Sequence, residues 1–216
     1  MIITIITTLF LCGIDKILEY YNILGRYYFN HFLINFIVVY YTVTDLLLCY
    51  NDFNNLNMYS TNMIPVELTF SVHFYHIIIY FRRFLFDDWL HHIIMIFFTL
   101  PFGVYYDAGP IMSHCLFFIS GLPGGINYLF LFLQRNSKIT KKLQKRVNYF
   151  LNLWIRNPGC IASSVIIYLY HCTFIYNNSN FIYTYMSFYI LLSCYWNGIY
   201  FMEQVVRNYN LLYPTV

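Results

Sequence analysis

Apolar residues in this chain come in blocks too long for the interior of a soluble domain. Stretches almost free of charge cover 29–50, 63–83, 88–106 and 110–134, and a long final run divides into 157–176 and 181–203. A bilayer core takes about 20 such residues per helix. The pattern therefore predicts an all-α, multi-pass transmembrane helical bundle of about six helices. Asn177, Asn178, Ser179 and Asn180 supply the turn that divides the last run.

Ahead of these spans, Met1–Ile14 is apolar, short for a crossing, and followed by Asp15, Lys16 and Glu19. It lacks the basic start and small-residue cleavage site of a signal peptide. It is expected to form a short extra helix, a seventh, or one that runs on through the charges at the interface. The chain then reads as an N-terminal apolar or interfacial segment (1–28), a transmembrane domain (29–207) and a tail (208–216).

Charge orients the bundle. All 12 Lys and Arg fall in four regions: Lys16 and Arg26 before the first span, Arg82 and Arg83 between the second and third, the stretch from Arg135 to Arg156 between the fourth and fifth, and Arg207 after the sixth. The loops near 51–62, 107–109 and 177–180 hold none. Six spans put all four basic regions on one side, which the positive-inside rule makes cytoplasmic, with the C-terminus. Asn177-Asn178-Ser179 is then a lumenal glycosylation sequon. Arg135–Arg146 holds only positive charges. It is read as an orientation signal in a loop, with 147–155 as an interfacial helix, in preference to a dedicated headgroup site.

Composition narrows the class. The chain is 60% hydrophobic and 10% charged, with a mean hydropathy of +0.55, against about a quarter charged in soluble domains. A net charge of +3 is too small to suggest a nucleic-acid partner. The six Cys are scattered without a C-x-x-C pair, so they read as buried thiols and signal neither zinc nor redox chemistry. Tyr and Phe (24 and 22) are abundant, and with Ile and Asn they share A/T-rich codons. That suits the genome of a protist or a large DNA virus. The expected location is the endoplasmic reticulum or another internal membrane, a host's included.

Ionisable groups inside spans are costly unless paired or hydrated, and so become functional candidates. Asp87-Asp88-Trp89-Leu90-His91-His92 opens the third span, with carboxylates suited to a helix start. Neighbouring helical residues point about 100° apart, so one of His91 and His92 would act and the other orient it. His73 and His76 share a face of the second span at i, i+3. Ser120-Gly121-Leu122-Pro123-Gly124-Gly125, followed by Asn127, interrupts the fourth. Irregular backbone at that depth is tolerated where it is buried or lines a cavity, although a close-packing kink has the same signature. Asp45, Glu67, His114 and His171 fall near span ends and read as interfacial. No nucleotide-binding or serine-hydrolase motif occurs.

His73-x-x-His76-x-x-x-Tyr80, a short basic link, then Asp88-x-x-His91-His92 opening the next span resembles the TLC-domain family, which includes the ceramide synthases. The resemblance covers roughly residues 30–207. It implies a helical bundle around a cavity open to lipid, with the double histidine of the acyl-transfer site mapping onto His91 and His92. Ceramide synthases carry acidic residues in the following span; here Ser120–Gly125 occupies its middle, which argues against ceramide synthesis itself.

The resulting expectation is a membrane protein of lipid metabolism. His91 or His92 would be general base or transient acyl acceptor, Asp88 or Asp87 would hold the imidazole, and His73, His76, Pro123, Gly124 and Asn127 would line the lipid cavity. Partners are membrane lipids and an acyl donor, with no cofactor. A non-catalytic lipid sensor, carrier or membrane organiser is the alternative. A haem or metal redox protein using the same histidines is a third reading.

Overall fold

A computed structural model describes residues 1–175 and 181–212, save the side chains of Asp87 and Leu212. Every regular element among them is helical. The α-helices are α1 (Ile2–Tyr20), α2 (Arg26–Asn51), α3 (Met63–Tyr80), α4 (Phe86–Ile94), α5 (Leu100–Tyr106), α6 (Pro110–Leu116), α7 (Leu122–Arg135), α8 (Lys141–Leu151), α9 (Asn157–Tyr170) and α10 (Phe181–Leu212).

Several of these join into longer rods. Arg26–Asn51, Met63–Arg83, Asp88–Tyr106, Pro110–Arg135 and Lys141–Ile175 are five helices long and apolar enough to cross a membrane. By that measure the chain is an integral membrane protein. The expected sixth span, 181–203, lies inside the 32-residue α10, whose Tyr, Trp196 and Asn197 make it less apolar than the five. The expected turn and sequon at 177–180 lie outside the described residues.

The joints between rod segments have one local cause. Helical turns of the wider π type cover Met95–Thr99, Phe117–Gly121 and Asn152–Arg156. Each ends two residues before a proline: Pro101, Pro123 and Pro158. Proline has no N–H, and its ring clashes with the carbonyl four residues back. In all three rods that carbonyl lies within the π turn, where the looser winding gives it room. The irregularity expected around Pro123 is therefore a π bulge in a continuous helix. The same device corrects the reading of 135–156 as a basic loop with a separate interfacial helix at 147–155. Asn136–Thr140 is the connection, and α8 runs on through Asn152–Arg156 into α9.

Helix α1 continues through its charges. Thr4, Thr8, Leu11, Asp15 and Leu18 form its buried stripe, which packs along α3. Asp15 is only 1% exposed. It accepts the hydroxyls of Tyr75 (2.7 Å) and Tyr80 (2.6 Å), and the Arg26 guanidinium stands 3.7 Å away. The first acidic residue after the apolar stretch thus ties α1, α2 and α3 together. Helix α2 is central, packing on α1, α3, α6 and α7, while α9 and α10 pair along their lengths.

The ends of the bundle differ in charge. Arg26, Arg83 and Arg135, from three different connections, meet at one end. At the other, Asp52 accepts bonds from Asn55 and Tyr59, and Asp107 accepts from the Thr61 N–H.

Candidate functional site

Five histidines gather where α2, α3 and α4 meet, near the basic end. Ring centroids lie 4.3 Å apart for His31–His76 and 5.3 Å for His73–His91, His73–His92 and His76–His92. The i, i+3 face of α3 and the start of α4 are brought together, a meeting that no spacing in the sequence demanded. His31, one helix away in sequence, is the member that the sequence reading missed. It lies in an otherwise uncharged stretch of α2, and its only signal was an ionisable side chain inside a span.

Aromatic rings enclose the cluster. Tyr27 stacks on His76 (4.4 Å) and meets His31 (4.6 Å), while Tyr128 of α7 stacks on His31 at 4.0 Å. Phe84 covers His92 at 4.6 Å. His31, His73, His76 and His92 are buried; His91 is exposed on the outer side of α4. The 100° between adjacent residues thus turns His92 inward and leaves His91 at the rim.

Hydrogen-bond partners fix most of the ring protons. His92 Nδ1 lies 2.7 Å from the Asp88 carbonyl oxygen. A carbonyl only accepts, so Nδ1 carries the proton and a neutral His92 has its lone pair on Nε2. That Nε2 lies 3.2 Å from His76 Nδ1, which must then be the donor. His73 Nδ1 likewise donates to the Thr69 carbonyl at 2.7 Å. The outcome is a directional pair: His76 donates to His92, and His92 to Asp88. It leaves His76 Nε2 and His73 Nε2 as bare acceptors. Both are buried without a partner, as is His31 Nε2.

Four residues expected in the site serve in other ways. The Asp88 carboxylate accepts from the Leu85 N–H (2.9 Å) and caps α4, so its main chain, not its acid, holds His92. Gly124 is in close contact with α2, where a Cβ would stand 2.8 Å from Asn35 Nδ2. Asn127 accepts from the buried Gln144 of α8 at 3.2 Å. Pro123 is buried at the end of its π bulge.

An open cleft of about 590 Å³ lies directly above the cluster, and Tyr27 belongs to the walls of both. None of Pro123, Gly124, Asn127, His73 or His76 lines it. At its edge Glu19 is held down to about 2 by hydrogen bonds from Lys16 and then Arg26.

Two histidines read as interfacial are in fact buried. His114 donates from Nδ1 to Ser163 Oγ (2.8 Å), whose own proton goes to the Gly159 carbonyl, and its Nε2 lies 2.8 Å from the Tyr50 hydroxyl. His171 pairs with Ser187 at 3.0 Å. Asp45 likewise takes the Ser113 hydroxyl at 2.5 Å. Among the described residues no three His, Cys, Asp or Glu side chains are arranged to hold a metal ion.

The fold and this cluster define a class, an all-α membrane-spanning bundle with a buried polyhistidine site. Comparison with known proteins finds no matching family model, no matching curated protein and no matching solved structure.

Proposed function

We propose that this chain is a TLC-like protein of an internal membrane that binds a lipid and modifies it at the histidine cluster, with acyl transfer as the reaction. The observation that carries this reading is the set of buried imidazole Nε2 atoms without partners. A buried polar atom left bare costs about 1–3 kcal/mol, and such an atom is relieved by a ligand that donates to it. A lipid hydroxyl is such a donor.

The direction of the His76–His92 pair supports a division of labour. With its Nδ1–H given to His92, His76 is a stronger base at Nε2. It takes the proton of the acceptor hydroxyl as that oxygen attacks the acyl carbonyl, and returns a proton to the leaving group. His73 is the second base in reach, and His92 with the Asp88 carbonyl is the positioning arm. His91, at the rim, meets the chain as it enters from the bilayer. The basic end of the bundle faces the cytoplasm, as the positive-inside rule requires.

The test is comparative lipid mass spectrometry on cells expressing the native chain, His73→Leu/His76→Leu, or His91→Ala/His92→Ala, matched for membrane insertion. A lipid species altered by the native chain and by neither variant is the expected result. A native chain that changes no lipid, yet retains one on purification, would replace this reading with that of a carrier.

A further inference from the structure

The cleft above the histidines is built from the ends of three rods. Arg26 opens α2, Arg83 follows α3 and Arg135 closes α7, and all three line the same space. Glu19 is the carboxylate in its wall. It is already taken by Arg26 and Lys16, each at 2.7 Å. Arg83 and Arg135 have no carboxylate within ion-pair distance among the described residues. Each instead lies about 6 Å over a tyrosine ring, Arg83 over Tyr80 and Arg135 over Tyr28, which holds the side chain and leaves its N–H donors open.

Backbone adds to the same field. Helix α2 starts at Gly25, which offers no side-chain cap, so the positive end of a 26-residue helix opens into the cleft. Gly25 has φ +72°, and a Cβ there would press on Arg135 Cβ at 3.2 Å. Glycine at this position lets the end of α7 close over the start of α2.

Orientation signals need only lie on one side of the membrane; they do not need to converge. Arg82 illustrates the difference. It adjoins Arg83 in sequence, yet it stands over Phe81 and lies outside the cleft.

We propose that this cleft binds a phosphate group, with Arg83 and Arg135 as its forked donors and the start of α2 as its floor. The assignment rests on the lipid reading above and sharpens it. The phosphate belongs to the lipid, or to the donor, whose chain descends past Tyr27 to the histidines.

The experiment is native mass spectrometry of the detergent-purified full chain titrated with dioleoyl phosphatidic acid. Dioleoylglycerol, the same chains without phosphate, is the reference. Arg83→Gln/Arg135→Gln is expected to weaken phosphatidic acid binding about tenfold or more, with partial rescue by Lys at both positions and dioleoylglycerol unaffected. Arg82→Gln/Lys138→Gln makes the same change of charge outside the cleft and should leave binding intact. Equal loss in both pairs, or none in the first, would overturn the proposal. Displacement of the lipid by millimolar inorganic phosphate would identify a soluble phosphate source, and resistance to it the lipid headgroup. A native chain that binds phosphatidic acid through Arg83 and Arg135 yet changes no lipid in cells would fail the histidine chemistry alone, so failure of that chemistry and failure of this site are separately visible.

Discussion

Two histidine sites in this bundle have similar depth and opposite bookkeeping. At His114 every ring nitrogen is used: one meets Ser163, which passes its proton to Gly159, and the other meets Tyr50. At the α2–α3–α4 cluster the inner faces of His31, His73 and His76 end in unpartnered Nε2 atoms. Burial alone therefore does not mark function in a membrane protein. A polar group whose hydrogen bonds close on themselves is a packing device. One whose bonds lead to an open acceptor is poised for something brought from outside.

The largest effect should come from the most saturated network. Asp15→Ala removes the acceptor of two tyrosine hydroxyls beside Arg26. It should cost about 3–5 kcal/mol, read as a fall in thermal unfolding temperature in detergent. His114→Ala comes next, taking the donor away from the buried Ser163 hydroxyl at about 1–3 kcal/mol. Any lipid change made by the native chain should persist in the surviving protein. His73→Leu should do the reverse: stability within about 1 kcal/mol of native, because an unmet acceptor goes with the side chain, and the lipid change lost. A large destabilisation by His73→Leu would erase the contrast between the two sites.

The smallest effect concerns the cleft edge. The folded chain holds Glu19 at about 2, below the ordinary 4.5. A lowered carboxylate pKa contributes stability that is present above the unfolded value and lost as pH falls from there towards 2. Glu19→Gln should flatten the dependence of stability on pH in that window and leave a constant loss of stability above it.

The rods were legible because about 20 apolar residues in a row admit few other structures. That His73 and His76 share one face of the second span was legible, since helical periodicity fixes which residues share a face; no spacing demanded that this face meet His92 of the third. Three other things were not legible. His31 stood alone in its stretch, and only the packing of α2 against α3 gives it company. Asp15 looked like the end of an apolar run because its partners lie about sixty residues away, at Tyr75 and Tyr80. The continuity of α8 into α9 was hidden because Pro158 and Gly159 look like a break, and the π turn that absorbs the proline has no sequence signature of its own. Asn127 and Gly124 were placed in a cavity on the strength of backbone irregularity, whereas close packing against α8 and α2 accounts for both.

The central claim is that the bare Nε2 atoms of the cluster are where a lipid is met. Solid-state nitrogen NMR of histidine-labelled protein in bilayers, with His73→Leu, His76→Leu and His114→Ala to assign signals, tests it most directly. On loading with the lipid that mass spectrometry identifies, the unprotonated His73 and His76 signals should move towards the hydrogen-bonded range while that of His114 stays fixed. Signals from His73 and His76 that do not respond, or that move no more than that of His114, would contradict the account.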